Sequence, residues 1–243
     1  MLKNEKFVKL KRIIWVVMLC GLFLGLTLRT DMDVQAAPKF KVTNKQMKKA
    51  ISGYSVNVTI NGMNQRFAVK QSEITKLQVK SKKYSSDKKN VTVKAVAYID
   101  REVAVIKSSV TIKYKLKGKK WKVSNVKFGK GSISKVQLKG EWIGTYVANQ
   151  GQTKAHFVID EVTKDGYASG TFYFSATPTN PKVPSGSYTV NGGYDKKTGK
   201  VTFVGEEWIE KPDTYIIIDF YGYLDLKNKK IKSNTYSLDI SKR

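Results

Sequence analysis

Outside one apolar stretch the chain has no thiol. Its single cysteine, Cys20, lies near the N-terminus, so the rest of the 243 residues can form neither a disulfide framework nor a Cys-based zinc site. Histidine is as scarce. His156 stands alone, which leaves no histidine metal set and only one imidazole to serve a Ser-His-Asp arrangement. No Gly-x-Ser-x-Gly elbow, phosphate-binding glycine loop, HExxH or EF-hand spacing occurs. Acidic residues are nearly missing from one long segment. Residues 38–140 carry 26 Lys or Arg against 4 Asp or Glu, a net +22, whereas residues 141–243 carry 13 against 12.

What is present suits folded cores. Hydrophobic residues make up 41% of the chain, with Tyr 13, Phe 10 and Trp 4, so wholesale disorder is excluded. The break in charge marks two domains, a basic one over 38–138 and a near-neutral one over 139–243, behind an N-terminal segment of residues 1–37. That segment opens with Lys3, Lys6, Lys9, Lys11 and Arg12 and continues as an apolar run from Ile13 to Leu28. Val34-Gln35-Ala36 then sets small residues at the −3 and −1 positions of a cleavage site. A cleaved export signal is expected, with an uncleaved membrane anchor as the alternative. A lipid-modified Cys20 is disfavoured by the bulk of Leu19 before it. The expected location is therefore exported, either secreted or associated with the cell envelope.

In the basic segment Thr43-Asn44-Lys45-Gln46 has capping-box form, and Met47, Ala50 and Ile51 follow at helical spacing, so a short helix ending at Gly53 is predicted. From Tyr54 the period is two. Val56, Val58 and Ile60 alternate with polar residues up to an Asn61-Gly62 hairpin turn. Further strands are predicted over Gln65–Lys70, Ile74–Ser81, Val91–Ile99, Val103–Leu116 and Lys120–Phe128. One helix on an antiparallel sheet is an α+β layer pair. The lysines keep the strand period: Lys113, Lys115 and Lys117 share one face, while Ile112, Tyr114 and Leu116 share the other. With Lys94, Lys119, Lys120 and Lys122 they form the expected anion-binding surface. A merely solvated face is the plainer alternative, but an excess of 22 with so few acids exceeds what solubility needs. Arg66 and Arg101 are the only arginines here, which points to an anionic cell-wall polymer or acidic membrane surface more than to nucleic acid. The helix-then-sheet order resembles the exported cystatin-like and nuclear transport factor 2-like domains. Enzymes of the latter family hold His and Asp inside the sheet's cone. This segment has no His, so the resemblance implies a binding or spacer role.

The second segment shows no helix signal. Short apolar or aromatic runs recur with tight turns between them, among them Ala155–Val162, Gly170–Phe174, Ser185–Val190, Val201–Val204, Thr214–Tyr223 and Ile231–Ile240. Pro178, Pro181 and Pro184 make residues 177–184 a long loop, and Trp208, Ile209 and Pro212 mark a corner. A mainly β chain is predicted, with this part closing as an antiparallel barrel of seven or eight strands. The opening Trp142-x-Gly144-x-Tyr146 and the later Gly193-Tyr194-Asp195 turn are similar to features of avidin- and lipocalin-type up-and-down barrels. That resemblance implies a ligand site in the barrel, with Trp208 as a covering residue. Two readings of the aromatics stay open. Trp142, Tyr146, Phe172, Phe174 and Phe203 can simply fill the interior. Alternatively one mouth stays open, and Trp142, Tyr146, Tyr188, Trp208 and Tyr215 bind a small ligand, glycan or envelope protein. Glu206, Glu207, Glu210 and Asp213 cluster near Trp208, and a carboxylate pair there is the one arrangement that suits glycoside cleavage. No cofactor is expected.

Overall fold

The computed structural model describes residues 39–243; the expected export signal and the cleavage site at Val34–Ala36 lie outside the described residues. The first element among the described residues is helix α1, Asn44–Ile51. Its cap is the one read from sequence: Thr43 Oγ1 accepts from the Gln46 N–H at 3.2 Å, and Gln46 Oε1 accepts from the Thr43 N–H at 2.8 Å. Two donors at the helix start are thereby satisfied, and Met47 and Ile51 are buried beneath it. Strands β1, Ser55–Ile60, and β2, Met63–Ala68, form a separate hairpin. Asn61 and Gly62 both adopt positive φ between them, as a type I′ turn requires.

A larger antiparallel sheet follows in the order β3, Ile74–Tyr84; β4, Asn90–Asp100; β5, Ala104–Lys117; and β6, Lys120–Phe128. Strand β7, Ser132–Val136, which the sequence pattern does not announce, pairs with the first part of β5. Along β5 the residues Ile106, Val110, Ile112 and Tyr114 are buried, and Lys107, Lys113, Lys115 and Lys117 are exposed. On the buried side, α1 reaches β3 and β6, and β1 reaches β7. Gly131 sits at the last of these junctions because a side chain there would run into Ile106, Val58 and Val56.

The remaining strands close into a barrel. In chain order they are β8, Gly140–Ala148; β9, Gly151–Val162; β10, Tyr167–Ser175; β11, Gly186–Tyr194; β12, Lys200–Glu210; β13, Phe220–Asp225; β14, Lys230–Lys232; and β15, Asp239–Lys242. Each pairs with the next, and β15 pairs back onto β8, an eight-stranded up-and-down barrel with no free edge. Gly144 lies on that closing seam, where a Cβ would collide with the Asp239 carbonyl. Phe157 occupies the centre of the interior, with ring centroids 4.5 Å from Phe172, 4.9 Å from Phe203 and 5.3 Å from Phe220. The middle of the barrel is filled.

Three strand assignments differ from expectation. Residues 214–219 are not strand. Pro212 cannot extend the β12 ladder, and Asp219 accepts the Gly205 N–H at 3.0 Å in place of a backbone partner, so β13 begins only at Phe220. The stretch Ile231–Ile240 is broken by a 3-10 turn at Thr235–Ser237, where Tyr236 and Ser237 adopt positive φ. Trp208 and Ile209, expected at a corner, lie within β12.

Arg101 ties the basic layers to the barrel. Its guanidinium, on a residue only 4% exposed, donates to Leu226 O at 2.9 Å, to Lys227 O at 3.0 Å and to Glu73 Oε1 at 2.5 Å. It also stacks over Phe67, 4.6 Å from the ring centroid. Gln65 adds a pair of bonds, donating to Leu224 O and accepting from Leu226 N, each at 2.7 Å.

Candidate functional sites

The exposed sheet face is a field of ammonium groups. Reading across strands, Lys83, Thr92, Lys113 and Asn125 form one row, and Ser81, Lys94, Thr111 and Lys127 the next. Lys115 stands directly opposite Lys122, and Lys117 opposite Lys120. Like charges in facing positions destabilise a sheet by themselves. Nearer β7 the rows hold Lys76, Tyr98 and Lys107, then Asp100, Val105 and Lys135. Every lysine expected in the anion-binding surface is exposed, with Lys119 in the β5–β6 turn beside this face. Arg101 does not belong to it, being buried in the contact just described.

The second site is one mouth of the barrel, a hollow of about 360 Å³ between the β8–β9 turn, the 211–219 loop and Tyr236. Tyr146, Phe174, Tyr188 and Tyr215 supply aromatic walls, Ile216 and Ile218 add apolar surface, and Asn149 and Gln150 add amides. Among the described residues no charged one lines it. Tyr215 stacks on Phe174 with ring centroids 5.5 Å apart and planes 11° from parallel. The Tyr188 hydroxyl donates to Ile218 O at 2.9 Å, which pins the loop to the wall. Gln150 Nε2 donates to the Tyr146 hydroxyl at 3.1 Å. Burial holds the phenols of both Tyr146 and Tyr188 well above the usual tyrosine range. The proline loop is anchored beside this mouth by Asn180, whose amide donates to Gln150 O at 2.6 Å.

Of the five aromatics expected to meet at the mouth, Tyr146, Tyr188 and Tyr215 do. Trp208 stands behind them, edge-on to Tyr188 at 5.3 Å. Trp142 does not join them. It is fully buried, its indole donates to Leu138 O at 2.6 Å, and it lies near the start of β8, whereas Tyr146 lies near its end. Four residues along a strand span roughly 13 Å, so two side chains on one face serve different ends of the barrel. Asn149, Gln150 and Tyr236 carried no signal in the sequence, since only the turns bring them to the rim.

Glu206, Glu207, Glu210 and Asp213 are all exposed, and among the described residues none of the four carboxylates takes part in a hydrogen bond or ion pair. His156 lies on the outside of the barrel with Nε2 3.5 Å from Glu141 and its ring 5.6 Å from that of Tyr173; no serine hydroxyl among the described residues bonds to it. Among the described residues no group of three His, Cys, Asp or Glu is placed to hold a metal ion, and no helix is long and apolar enough to cross a membrane.

No protein-family model matches the chain, and neither a curated protein nor a solved structure is detectably similar to it. The eight-stranded barrel and the curled sheet therefore stand as architecture, without a family behind the cystatin-like, nuclear transport factor 2-like, avidin-like or lipocalin-like resemblances.

Proposed function

We propose that the chain is an exported, envelope-associated binding protein whose lysine face holds it to an anionic cell-wall polymer and whose barrel mouth takes an uncharged ligand such as a glycan. The observation that carries the first part is the pairing of Lys115 with Lys122 and Lys117 with Lys120 on a sheet whose strands, among the described residues, carry a single acid, Asp100. Such pairs cost stability in the free chain and are relieved when a polyanion spreads negative charge across them. The second part rests on the uncharged aromatic hollow in a chain whose net charge is +26. Stacking faces with a few amides are the chemistry that holds a sugar ring.

Retention of the full chain on isolated cell walls, measured against salt, tests the reading. Binding should be tight at low salt and fall steeply towards about 0.2 M as the attraction is screened. Replacing Lys113, Lys115, Lys117 and Lys122 together by Gln should abolish it. Equal retention by that variant at low salt would remove the lysine face from the mechanism. Preference for vesicles of acidic phospholipid over cell walls would replace the polymer with a membrane surface.

A further inference from the structure

We propose that a second cleft, between β7 and the turn end of the barrel, is a binding site for a phosphate ester. It has a volume of about 430 Å³ and is lined by five lysines, Lys135, Lys139, Lys164, Lys196 and Lys242, with no Asp or Glu among the lining residues. These lysines come from separate parts of the chain: β7 and the residues after it, the β9–β10 turn, the β11–β12 turn and the last strand. The fold gathers them, and the lysine face does not include them apart from Lys135 at its corner.

Four acids flank the cleft without lining it: Asp165 beside Lys164, Asp195, which accepts from Lys197 N at 2.7 Å and from the Thr198 hydroxyl at 2.9 Å, and Asp100 and Glu102. Asp100 accepts from Gln137 Nε2 at 2.8 Å, and Glu102 pairs with Lys229 at 2.5 Å. Lys242 is held in place as a wall of the cleft, with Nζ donating to Gln137 O at 3.1 Å and lying 5.6 Å from the Trp142 ring centroid. Burial pushes its pKa down against the opposing pull of Asp100 and Glu102, with a smaller push in the same direction from Lys135. Lys196 Nζ donates to the backbone carbonyl of Lys164 at 3.4 Å, which brings its ammonium group to the β9–β10 turn. Neutral polar groups of Ser134, Thr163, Gln137 and Tyr194 complete the lining.

Five ammonium groups around one cleft attract a phosphate monoester, which carries close to two negative charges at neutral pH, more strongly than a singly charged carboxylate. The volume falls in the range of small-molecule sites, roughly 300–1,000 Å³, and exceeds what a bare phosphate fills. A phosphate carrying a polyol, such as a glycerol phosphate unit, fits both requirements.

The proposal stands apart from the lysine-face reading, and the experiment keeps the two separate. Calorimetric titration of the full chain at matched ionic strength would use inorganic phosphate, glycerol 3-phosphate and acetate. One saturable site is expected for the two phosphates, tighter for the ester, and none for acetate. Lys139→Gln with Lys164→Gln should weaken glycerol 3-phosphate about a hundredfold, taking roughly tenfold for each charge-assisted hydrogen bond removed. Lys113→Gln with Lys115→Gln should leave it unchanged. Lys139, Lys164 and Lys196 are exposed, so Lys196→Gln offers a further variant that does not disturb the core. Trp142 fluorescence gives an independent readout, since a ligand that moves Lys242 changes the charge over that ring. Absence of a saturable site, equal affinity in the Lys139/Lys164 variant, or equal binding of acetate would overturn the proposal. Displacement of the monomer by poly(glycerol phosphate) would identify a wall polymer as the source of the ester; its failure to compete would assign the site to the free compound.

Discussion

Arg101→Met should loosen the basic layers from the barrel at a cost set by what the side chain leaves behind. The guanidinium donates to two backbone carbonyls and to Glu73, and it covers Phe67. Methionine keeps most of the apolar stem but none of the donors. Glu73, 7% exposed, would then keep only its bond from Lys70 N and an ion pair with Lys229 at 3.4 Å. Removing one partner of a buried pair costs about 3–5 kcal/mol, most of it from the charge left uncompensated. Retained stem packing and the remaining Lys229 contact favour the middle of that range, about 4 kcal/mol. Glu73→Gln should cost less, about 1–2 kcal/mol, because the guanidinium keeps both carbonyls and a neutral acceptor. With the two substitutions combined, the loss should fall short of their sum, since no buried carboxylate then remains to be left without its guanidinium. Urea unfolding followed by far-ultraviolet circular dichroism measures all three, and a melting temperature lowered by about 10 °C in Arg101→Met is the thermal counterpart. A loss below about 1 kcal/mol, or strict additivity in the double variant, would show that the pair does not join the layers.

Two pH effects follow from groups that the fold perturbs. Burial alone would raise the pKa of Asp225, but bonds from the Asn228 amide at 2.7 Å and backbone at 3.0 Å, with Lys232 at 3.6 Å, hold it below the usual value. A depressed folded pKa stabilises above the unfolded value of about 3.9 and is lost as pH falls through the folded one. The stability gap between the native chain and Asp225→Asn should therefore be widest near neutral pH and close under acid, as urea midpoints at pH 7 and pH 3 would show. At the alkaline end, burial pushes Tyr114 up to about 12 and raises Tyr146 and Tyr188 as well. A raised folded pKa contributes stability below the unfolded value of about 10, which is lost as pH climbs through the folded one. Phenolate absorbance should rise in two steps, exposed tyrosines first and the buried set only as the fold opens; a single transition near pH 10 would contradict their burial.

The local devices of this fold are plain in the sequence because each is written within a few residues. Thr43 and Gln46 cap α1 reciprocally, Asn61-Gly62 turns the first hairpin, and the two-residue period of β5 puts lysines on one side and aliphatics on the other. What the sequence hides depends on distant partners. Tyr215-Ile216-Ile217-Ile218 has the composition of a strand, yet it spans the barrel mouth, where Tyr215 lies on Phe174 and the Ile218 carbonyl accepts from Tyr188. Strand β7 has no buried alternation to reveal it, because it pairs with only one strand along a partial edge. Trp142 and Tyr146 share a face in the sequence but serve opposite needs, one sealing the barrel against Leu138 and the other lining its mouth. The cleft lysines are the extreme case. No spacing rule connects Lys139, Lys164, Lys196 and Lys242, so only the closed barrel shows them together.

The lysine face makes one further demand on the free chain, and salt exposes it. Facing residues in an antiparallel pair hold their Cβ atoms about 4.5–5.5 Å apart, so Lys115 with Lys122 and Lys117 with Lys120 repel at close range in water. Each pair should cost about 0.2–1 kcal/mol at low ionic strength. The Debye length shrinks from about 30 Å at 0.01 M salt to about 8 Å at 0.15 M, which removes the repulsion between neighbouring rows first. Added salt should therefore raise the stability of the free chain while it weakens attachment to a polyanion. Opposite responses of the same lysines in folding and in binding are hard to obtain from a face that is only solvated. Lys115→Gln with Lys117→Gln should raise the urea midpoint at 0.01 M salt and raise it clearly less at 0.15 M. If stability is indifferent to salt in the native chain, the lysines are too well solvated to repel. Relief of repulsion then gives no reason for a polyanion to bind there.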